Sequence, residues 1–333
     1  MPPRLLLVDN PFAVYLIFTL LPCTVHRELA PGHEYNVVMP TETLRYGDHK
    51  LQTVTISTVS DNLNAGYWVI LIHGGAWRDP TQTAASYVAP AESILTTSPT
   101  YTSTTLPHIA AFASIEYRLS AHPSYPQNPD HLDSTEYRNA KHPDHIRDVQ
   151  AALALLQRKY GFGSKYILVG HSAGATLAFQ SVMGTFRDSA AAVASPPVAI
   201  LGMAGIYDLR LLRDTHRDIS AYQEFIEGAF GSDEAVWDAA SPAFVKGSQG
   251  VEGGWTSGRL AVLAHSAEDG LVDAAQQKAM QAALSRWEDN TPQGSGQRRV
   301  EMLSLKDDHD DAWMKGDELA RAIAHTLAEL QKQ

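Results

Sequence analysis

The sequence predicts an α/β protein in which helices cover both faces of a mostly parallel sheet. Two observations carry that expectation. Apolar runs of strand length alternate with helical segments along most of the chain. Several of these runs, such as WVILI at 68–72, are apolar at every position, as strands covered on both faces require. Taken in order, residues 52–59 (QTVTISTV) alternate like a half-buried strand. Residues 68–72 give the second strand and 109–117 (IAAFASIEY) the third. Apolar side chains at 146, 149, 152, 155 and 156 have the spacing of a helix over 146–159. YILV at 166–169 is a buried strand, followed by a helix of small and apolar residues at 173–183. Strands follow at 198–203, 260–265 and 300–305, and an amphipathic helix at 317–331 closes the chain.

Three stretches interrupt the alternation. Residues 120–143, rich in His, Pro, Asn and Asp, read as a long loop, and 290–297 as a turn. Residues 207–250 hold the apolar-periodic ISAYQEFIEGAF and read as a lid or cap between two strands. Residues 1–50 read as an N-terminal extension to a single domain over 51–333. The apolar run at 12–21 is too short to cross a bilayer. It has the length of a signal-peptide core, but it ends in Leu21-Pro22-Cys23-Thr24, a poor small-residue cleavage site. The preferred reading is a cytoplasmic protein with an N-terminal extension.

A net charge of −11 with scattered Lys and Arg argues against nucleic acid as a partner, because phosphate binding needs a basic patch. Cys23 is the only cysteine, so neither an intramolecular disulfide nor a Cys-rich metal site can form.

The chemistry-bearing residues lie where strands end. Gly170-His171-Ser172-Ala173-Gly174 is a G-x-S-x-G pattern between a buried strand and a helix, the context that gives the pattern meaning. Glycines permit the sharp bend, which leaves Ser172 strained and projecting at the helix N-terminus. A serine attacking a carbonyl needs preorganised N–H donors for the developing oxyanion. One is the amide of Ala173. The others belong to Gly74-Gly75-Ala76 after WVILIH, where missing or small side chains let the amides of Gly75 and Ala76 face the site. His73 reads as a brace for that loop. Trp77 is either a pocket wall or ordinary core.

A hydroxyl also needs a base, and the base a carboxylate to orient it. Asp269 follows the strand at 260–265 in HSAEDGLVD, where Gly270 allows a turn, and it fits that turn better than Glu268 or Asp273. His309, in Lys306-Asp307-Asp308-His309-Asp310-Asp311, is the one histidine between Asp269 and the closing helix. The acidic run around it reads as a solvated loop, and no metal is expected there because nothing nearby completes a shell.

HGGAW at 73–77, GHSAGA at 170–175, Asp269 and His309 in that order, and Glu116-Tyr117-Arg118-Leu119 together resemble the fungal-type kynurenine formamidases (arylformamidases). These belong to the α/β-hydrolase superfamily and are related to the hormone-sensitive-lipase-like esterases. The resemblance runs from Thr53 to the C-terminus. The esterases more commonly carry HGGG, whereas the alanine and tryptophan here match the formamidases. The resemblance implies an α/β-hydrolase fold with Ser172, Asp269 and His309 as the triad and Gly74, Gly75, Ala76 and Ala173 around the oxyanion. It implies hydrolysis of N-formyl-L-kynurenine to L-kynurenine and formate, in tryptophan degradation towards NAD, without a cofactor or metal. The partner would be that small molecule, with neither nucleic acid nor membrane involved. Family members are often dimers, which implies a homodimer. The aromatic leaving group needs a flat apolar slot, for which Trp77, Tyr117 and Trp313 are the candidates. Two other readings share the sequence. A carboxylesterase of small esters would use the same residues. A non-catalytic receptor or scaffold on this fold would be expected to lose a triad member, and all three are present.

Overall fold

The computed structural model describes residues 39–187, 194–291 and 297–332. The apolar run at 12–21, Cys23 and most of the expected N-terminal extension lie outside the described residues, as does the middle of the turn at 290–297. Eight strands, β1 (Thr41–Arg45), β2 (Thr53–Thr58), β3 (Tyr67–Ile72), β4 (Ile109–Glu116), β5 (Tyr166–His171), β6 (Ala199–Met203), β7 (Leu260–Ser266) and β8 (Arg299–Leu305), form one sheet. Their spatial order is β1-β2-β4-β3-β5-β6-β7-β8. From β4 to β8 every neighbouring pair is parallel, and β1 and β2 add antiparallel pairs at one edge.

Helices α1 (Ala84–Thr97), α2 (Pro99–Thr104), α3 (Asp144–Tyr160) and α4 (Ala173–Gln180) precede β6 in the chain. Helices α5 (Leu209–Thr215), α6 (Ser220–Phe230), α7 (Glu234–Ala240) and α8 (Val251–Gly254) all fall between β6 and β7. They are followed by α9 (Ala274–Asp289), α10 (Asp311–Met314) and α11 (Asp317–Gln331). Local chemistry sets several boundaries. Asp144 lies in the first turn of α3 and Arg158 and Lys159 in its last, each complementing the helix dipole, and Gly161 ends the helix in the left-handed region (φ 69°). Asp208, Asp233 and Asp273 accept amides of the first turns of α5, α7 and α9.

The alternation of side chains along β3 builds two cores. Trp68, Ile70 and Ile72 join one cluster with Val149 of α3, Phe179 of α4, Ile226 of α6 and Trp287 of α9. Val69 and Leu71 join the other with Tyr87 and Leu95 of α1 and Leu319 and Ile323 of α11. Such two-sided cover is why the inner strands need no polar face. The sheet begins at Thr41, inside the stretch expected to be an extension: β1 is an exposed edge strand whose Leu44 alone packs towards the core. The stretch 207–250 is helical, as α5, α6 and α7. No described helix is long and apolar enough to cross a membrane.

This topology fixes where a site can sit. From β3 the chain moves to β4 on one side, then crosses to β5 on the other, so β3 and β5 flank the point where strand order reverses. Crevices at the carboxyl ends of strands open at such a point. Backbone strain gathers at the same end of the sheet. Among the described residues, the non-glycine residues with positive φ are Ala76, Trp77, Ser172, Ala204 and Asp307, all in loops leaving β3, β5, β6 or β8.

Candidate active site

Ser172 follows β5 directly and caps α4 with φ 52° and ψ −118°. Its amide donates to Met203 O (2.9 Å), and its carbonyl accepts from Ala175 (3.0 Å). Both glycines of the motif answer to close backbone approach. A Cβ at Gly170 would stand 2.5 Å from Ala175 N, where α4 folds back over the strand. One at Gly174 would stand 2.6 Å from His73 O and closer still to Ile72 O. The turn therefore presses α4 against the end of β3, which brings the 73–77 loop to the serine. A Cβ on Gly74 would lie 3.1 Å from Ser172 Cβ and 2.8 Å from His171 Nδ1.

The amides of Gly74, Gly75 and Ala76 donate to no protein acceptor among the described residues, and Ala173, the first residue of α4, has no intrahelical acceptor. Positive φ at Gly75 (83°), Ala76 (47°) and Trp77 (59°) bends the loop, and Arg78 and Asp79 close it by donating their amides to Gly75 O (both 2.9 Å). The Glu116-Tyr117-Arg118 segment braces it from below. Glu116 Oε1 lies 3.1 Å from His73 Nε2, while Oε2 accepts the amide of Ala84 at the start of α1 (2.8 Å). Tyr117 stacks on His73 (4.4 Å between ring centroids) and donates its hydroxyl to Gly74 O (2.9 Å) and His73 O (3.2 Å). Arg118 grips the buried Asp148 of α3 through Nε and Nη2, 2.8–3.1 Å. His73 thus sits in the bracing position the sequence suggested.

Across the crevice, Asp269 Oδ2 accepts from His309 Nδ1 at 2.8 Å, and its Oδ1 accepts the amides of Leu271 and Val272, both at 2.9 Å. Burial alone would raise the Asp269 carboxyl. The His309 hydrogen bond and charge, with the two amides, outweigh it and hold the group below the usual carboxylate range. Glu268 and Asp273 do not reach His309; Asp273 caps α9 instead. The His309 ring lies 4.6 Å from that of His171, next to Ser172 in the chain, and His171 Nε2 donates to His309 O (3.1 Å). Ser172 Oγ makes no hydrogen bond to a described residue, so the serine and the imidazole are not joined. Ser172 is 5 % exposed and His309 6 %.

Several supporting residues were not singled out by the sequence. Asp308 Oδ1 accepts the amides of both Gly270 (3.0 Å) and His309 (2.7 Å), tying the two loops that carry Asp269 and His309. Asp310 Oδ1 accepts from Trp313 Nε1 (3.1 Å) and Gln82 Nε2 (3.3 Å). Gln276 of α9, fully buried, accepts the amides of Tyr207 and Asp208 (both 2.8 Å) and pins the turn after β6. Burial, reinforced by His309, holds His171 far below the usual imidazole range and therefore neutral. In the sequence Asp308 is one of four aspartates around His309, and His171 sits at the variable position of its motif, so nothing marked either.

The three aromatic residues expected to form a substrate slot are all buried. Tyr117 and Trp77 are 0 % exposed and Trp313 5 %. Tyr117 supports the loop. Trp77 packs edge-on against Phe230 (4.9 Å) and near Phe225 (6.3 Å) of α6. Trp313 packs against Tyr87 (5.7 Å) and lies 6.0 Å from His171. The part-exposed ring is Phe225, which neighbours Tyr222 (5.6 Å), whose hydroxyl donates to Leu271 O beside Asp269 (2.6 Å). His171, His309 and Asp310 each bring a ligand-type atom within 4.8 Å of the others. One atom of each is already bonded, His171 Nε2 to His309 O, His309 Nδ1 to Asp269 and Asp310 Oδ1 to Trp313 and Gln82, while His171 Nδ1 is buried without a partner.

No family model matches the chain. It is 39 % identical over 295 residues to the kynurenine formamidase-like hydrolase fscH of Fusarium equiseti, covering 87 % of this chain and 92 % of that one. It is 37 % identical over 282 residues to the kynurenine formamidase avaC of Aspergillus versicolor, covering 79 % and 90 %. Among solved structures, a truncated carbohydrate esterase from gut microbiota superposes with a TM-score of 0.60 at 16 % identity, covering 90 % of this chain and 99 % of that one. A Pyrobaculum calidifontis esterase gives 0.58 at 15 % identity, covering 88 % and 85 %. At such identities these esterases speak for the fold alone: an α/β-hydrolase sheet with its helices. By its sequence relatives, this chain belongs to the family of kynurenine formamidase-like hydrolases.

Proposed function

We propose that the protein is a cytoplasmic serine hydrolase that cleaves N-formyl-L-kynurenine to L-kynurenine and formate. The observation that carries the reading is the Asp269–His309 hydrogen bond of 2.8 Å, with the His309 ring beside His171 and the strained Ser172. In this reading Ser172 Oγ attacks the formyl carbon while His309 Nε2 takes its proton and Asp269 stabilises the imidazolium. The oxyanion receives the unpartnered amides of the 74–76 loop and that of Ala173. On collapse the C–N bond breaks, and the arylamine leaves with the proton from His309. Water, deprotonated by His309, then attacks the formyl ester and releases formate and Ser172. A formyl group has no carbon beyond its carbonyl, which suits a serine only 5 % exposed. The helices α5 to α7 act as a cap, because Tyr222 and Phe225 of α6 stand between the Asp269 loop and Trp77. The test compares kcat/KM for N-formyl-L-kynurenine with that for p-nitrophenyl acetate, in wild type and Ser172→Ala. The formamide should be much preferred and both activities lost in the variant. Far greater efficiency on the ester makes the protein a carboxylesterase, and full activity in Ser172→Ala removes the serine mechanism.

A further inference from the structure

A cavity of about 360 Å³ opens one residue beyond the 74–77 loop, between Arg78, Arg138 and Glu224, with His122, Tyr125 and Gln127 in its lining. Its chemistry differs from that of the acidic surface. Arg78 is mostly buried and has a single carboxylate partner, Glu224 of α6, at 3.2 Å. Its guanidinium lies 5.8 Å from the centre of the Phe225 ring. Arg138 donates one Nη to Tyr125 O (3.0 Å) and leaves its Nε buried without a partner. A buried donor with no acceptor is costly unless something supplies one. His122 senses both cations: burial and then Arg78, with Arg138 behind it, hold it below the usual imidazole range despite Asp79 and Glu224.

A run of touching side chains leads from the candidate active site to Arg78 in the cavity's lining. Tyr222 touches the Asp269 loop, Phe225 follows it, and Arg78 lies over Phe225. An aromatic ring held against Phe225 would have its reacting formamide towards Ser172 and its side chain towards the guanidiniums. Resting on the formamidase reading above, we propose that this cavity receives the α-amino-acid end of the substrate, its carboxylate on Arg78 and Arg138 and its ammonium on Glu224. Planar guanidinium forks match a carboxylate, and such charge-assisted contacts are the strong class of hydrogen bond. The enzyme then selects N-formylarylamines that carry a zwitterionic side chain over bare formanilides.

The test measures steady-state kinetics on N-formyl-L-kynurenine and on formanilide, which has the same scissile bond and no amino-acid end. Wild type should favour the former, and Arg138→Met and Arg78→Met should each lose roughly 10- to 100-fold in kcat/KM on it, carried by KM, with a several-fold smaller loss on formanilide. Arg138 is outside the 74–77 loop, so its variant separates binding from damage to that loop. An equal loss on both substrates from Arg138→Met, or no loss on N-formyl-L-kynurenine, overturns the proposal. Wild type that cleaves both amides without preference overturns the proposal and leaves the formamidase reading standing. Cleavage of neither amide overturns that reading, and this proposal with it.

Discussion

Tyr117→Phe separates a residue that binds substrate from one that holds the catalytic loop. The substitution removes one hydroxyl and keeps the ring, so the stacking on His73 at 4.4 Å survives. What is lost is the donor to Gly74 O at 2.9 Å and His73 O at 3.2 Å, in a place with no solvent to replace it, since Tyr117 is 0 % exposed. Leaving buried acceptors short of a donor costs about 1–3 kcal/mol. That range is the expected loss in urea unfolding free energy. The effect on rate follows from position. Gly74 O belongs to the peptide that carries the Gly75 amide, so losing the tether frees that N–H to tilt. Removing an oxyanion donor outright costs roughly 100- to 1000-fold in kcat, and loosening one should cost less, on the order of tenfold. KM should barely change, because the residue never meets the substrate. Chemical denaturation and initial-rate kinetics on the same preparation test both halves. A rise in KM with unchanged kcat and stability would refute the reasoning and return Tyr117 to the substrate slot.

The other expectations follow from equally local geometry. Asp269→Asn keeps the shape but leaves His309 Nδ1 facing an amide, and should lower kcat by roughly 10³- to 10⁴-fold with the fold intact by circular dichroism. Gly174→Ala forces a Cβ to 2.6 Å from His73 O and should destabilise by about 3 kcal/mol or more in thermal unfolding. Gly228→Ala, in α6 with nothing within 4 Å of its would-be Cβ, should instead stabilise by roughly 0.5–1 kcal/mol in the same experiment. The Asp269 carboxyl is depressed from 3.8, so its contribution to stability is complete above that value and is lost as pH falls through its folded-state value. Urea titrations between pH 2 and 5 should show that limb in wild type and a shallower one in Asp269→Asn.

What the sequence made legible was decided by how strongly each segment speaks for itself. β3, β5, β6 and β7 are apolar over most of their length, and their bounds were found within a residue or two. β1 was missed because an edge strand with one covered face and a polar composition carries little hydrophobic signal. α1 was missed because Pro90 lies inside it, where proline ordinarily ends a helix. α9 buries Gln276, Met280, Ala283, Leu284 and Trp287, and the polar Gln276 in its first turn leaves large apolar residues only from Met280 onward. In the site, Ser172, Asp269 and His309 were read from strand ends and chain order, and Asp269 and His309 do meet. For the aromatic residues expected as pocket walls, sequence proximity to a loop does not say which side of it a ring occupies: Trp77, Tyr117 and Trp313 are buried, and Phe225, in a segment read only as a cap, is part-exposed.

The residues that escaped the sequence share a task, and that task explains their identity. An oxyanion donor or a base is effective when it is already in place, because reorganising dipoles during the reaction costs the free energy that catalysis must save. Loops at strand ends do not hold position by themselves, and here each is tied to another loop. Asp308 joins the base loop to the acid loop through the amides of His309 and Gly270. His171, neutral and buried beside Ser172, joins the serine turn to the base loop through His309 O. Gln82 and Asp310 join the segment after Trp77 to that same loop, and Tyr117 fixes the amide-bearing turn to the strand beneath it. Apart from the Gln82–Asp310 pair, each tie uses a polar side chain to meet a backbone group that strand-end geometry leaves without a partner. Such positions select for hydrogen-bonding reach and leave no periodic or compositional mark. On the proposed mechanism the loop cluster is therefore fixed where the chemistry needs it fixed, while Ser172 Oγ, the proposed nucleophile, bonds to no described residue.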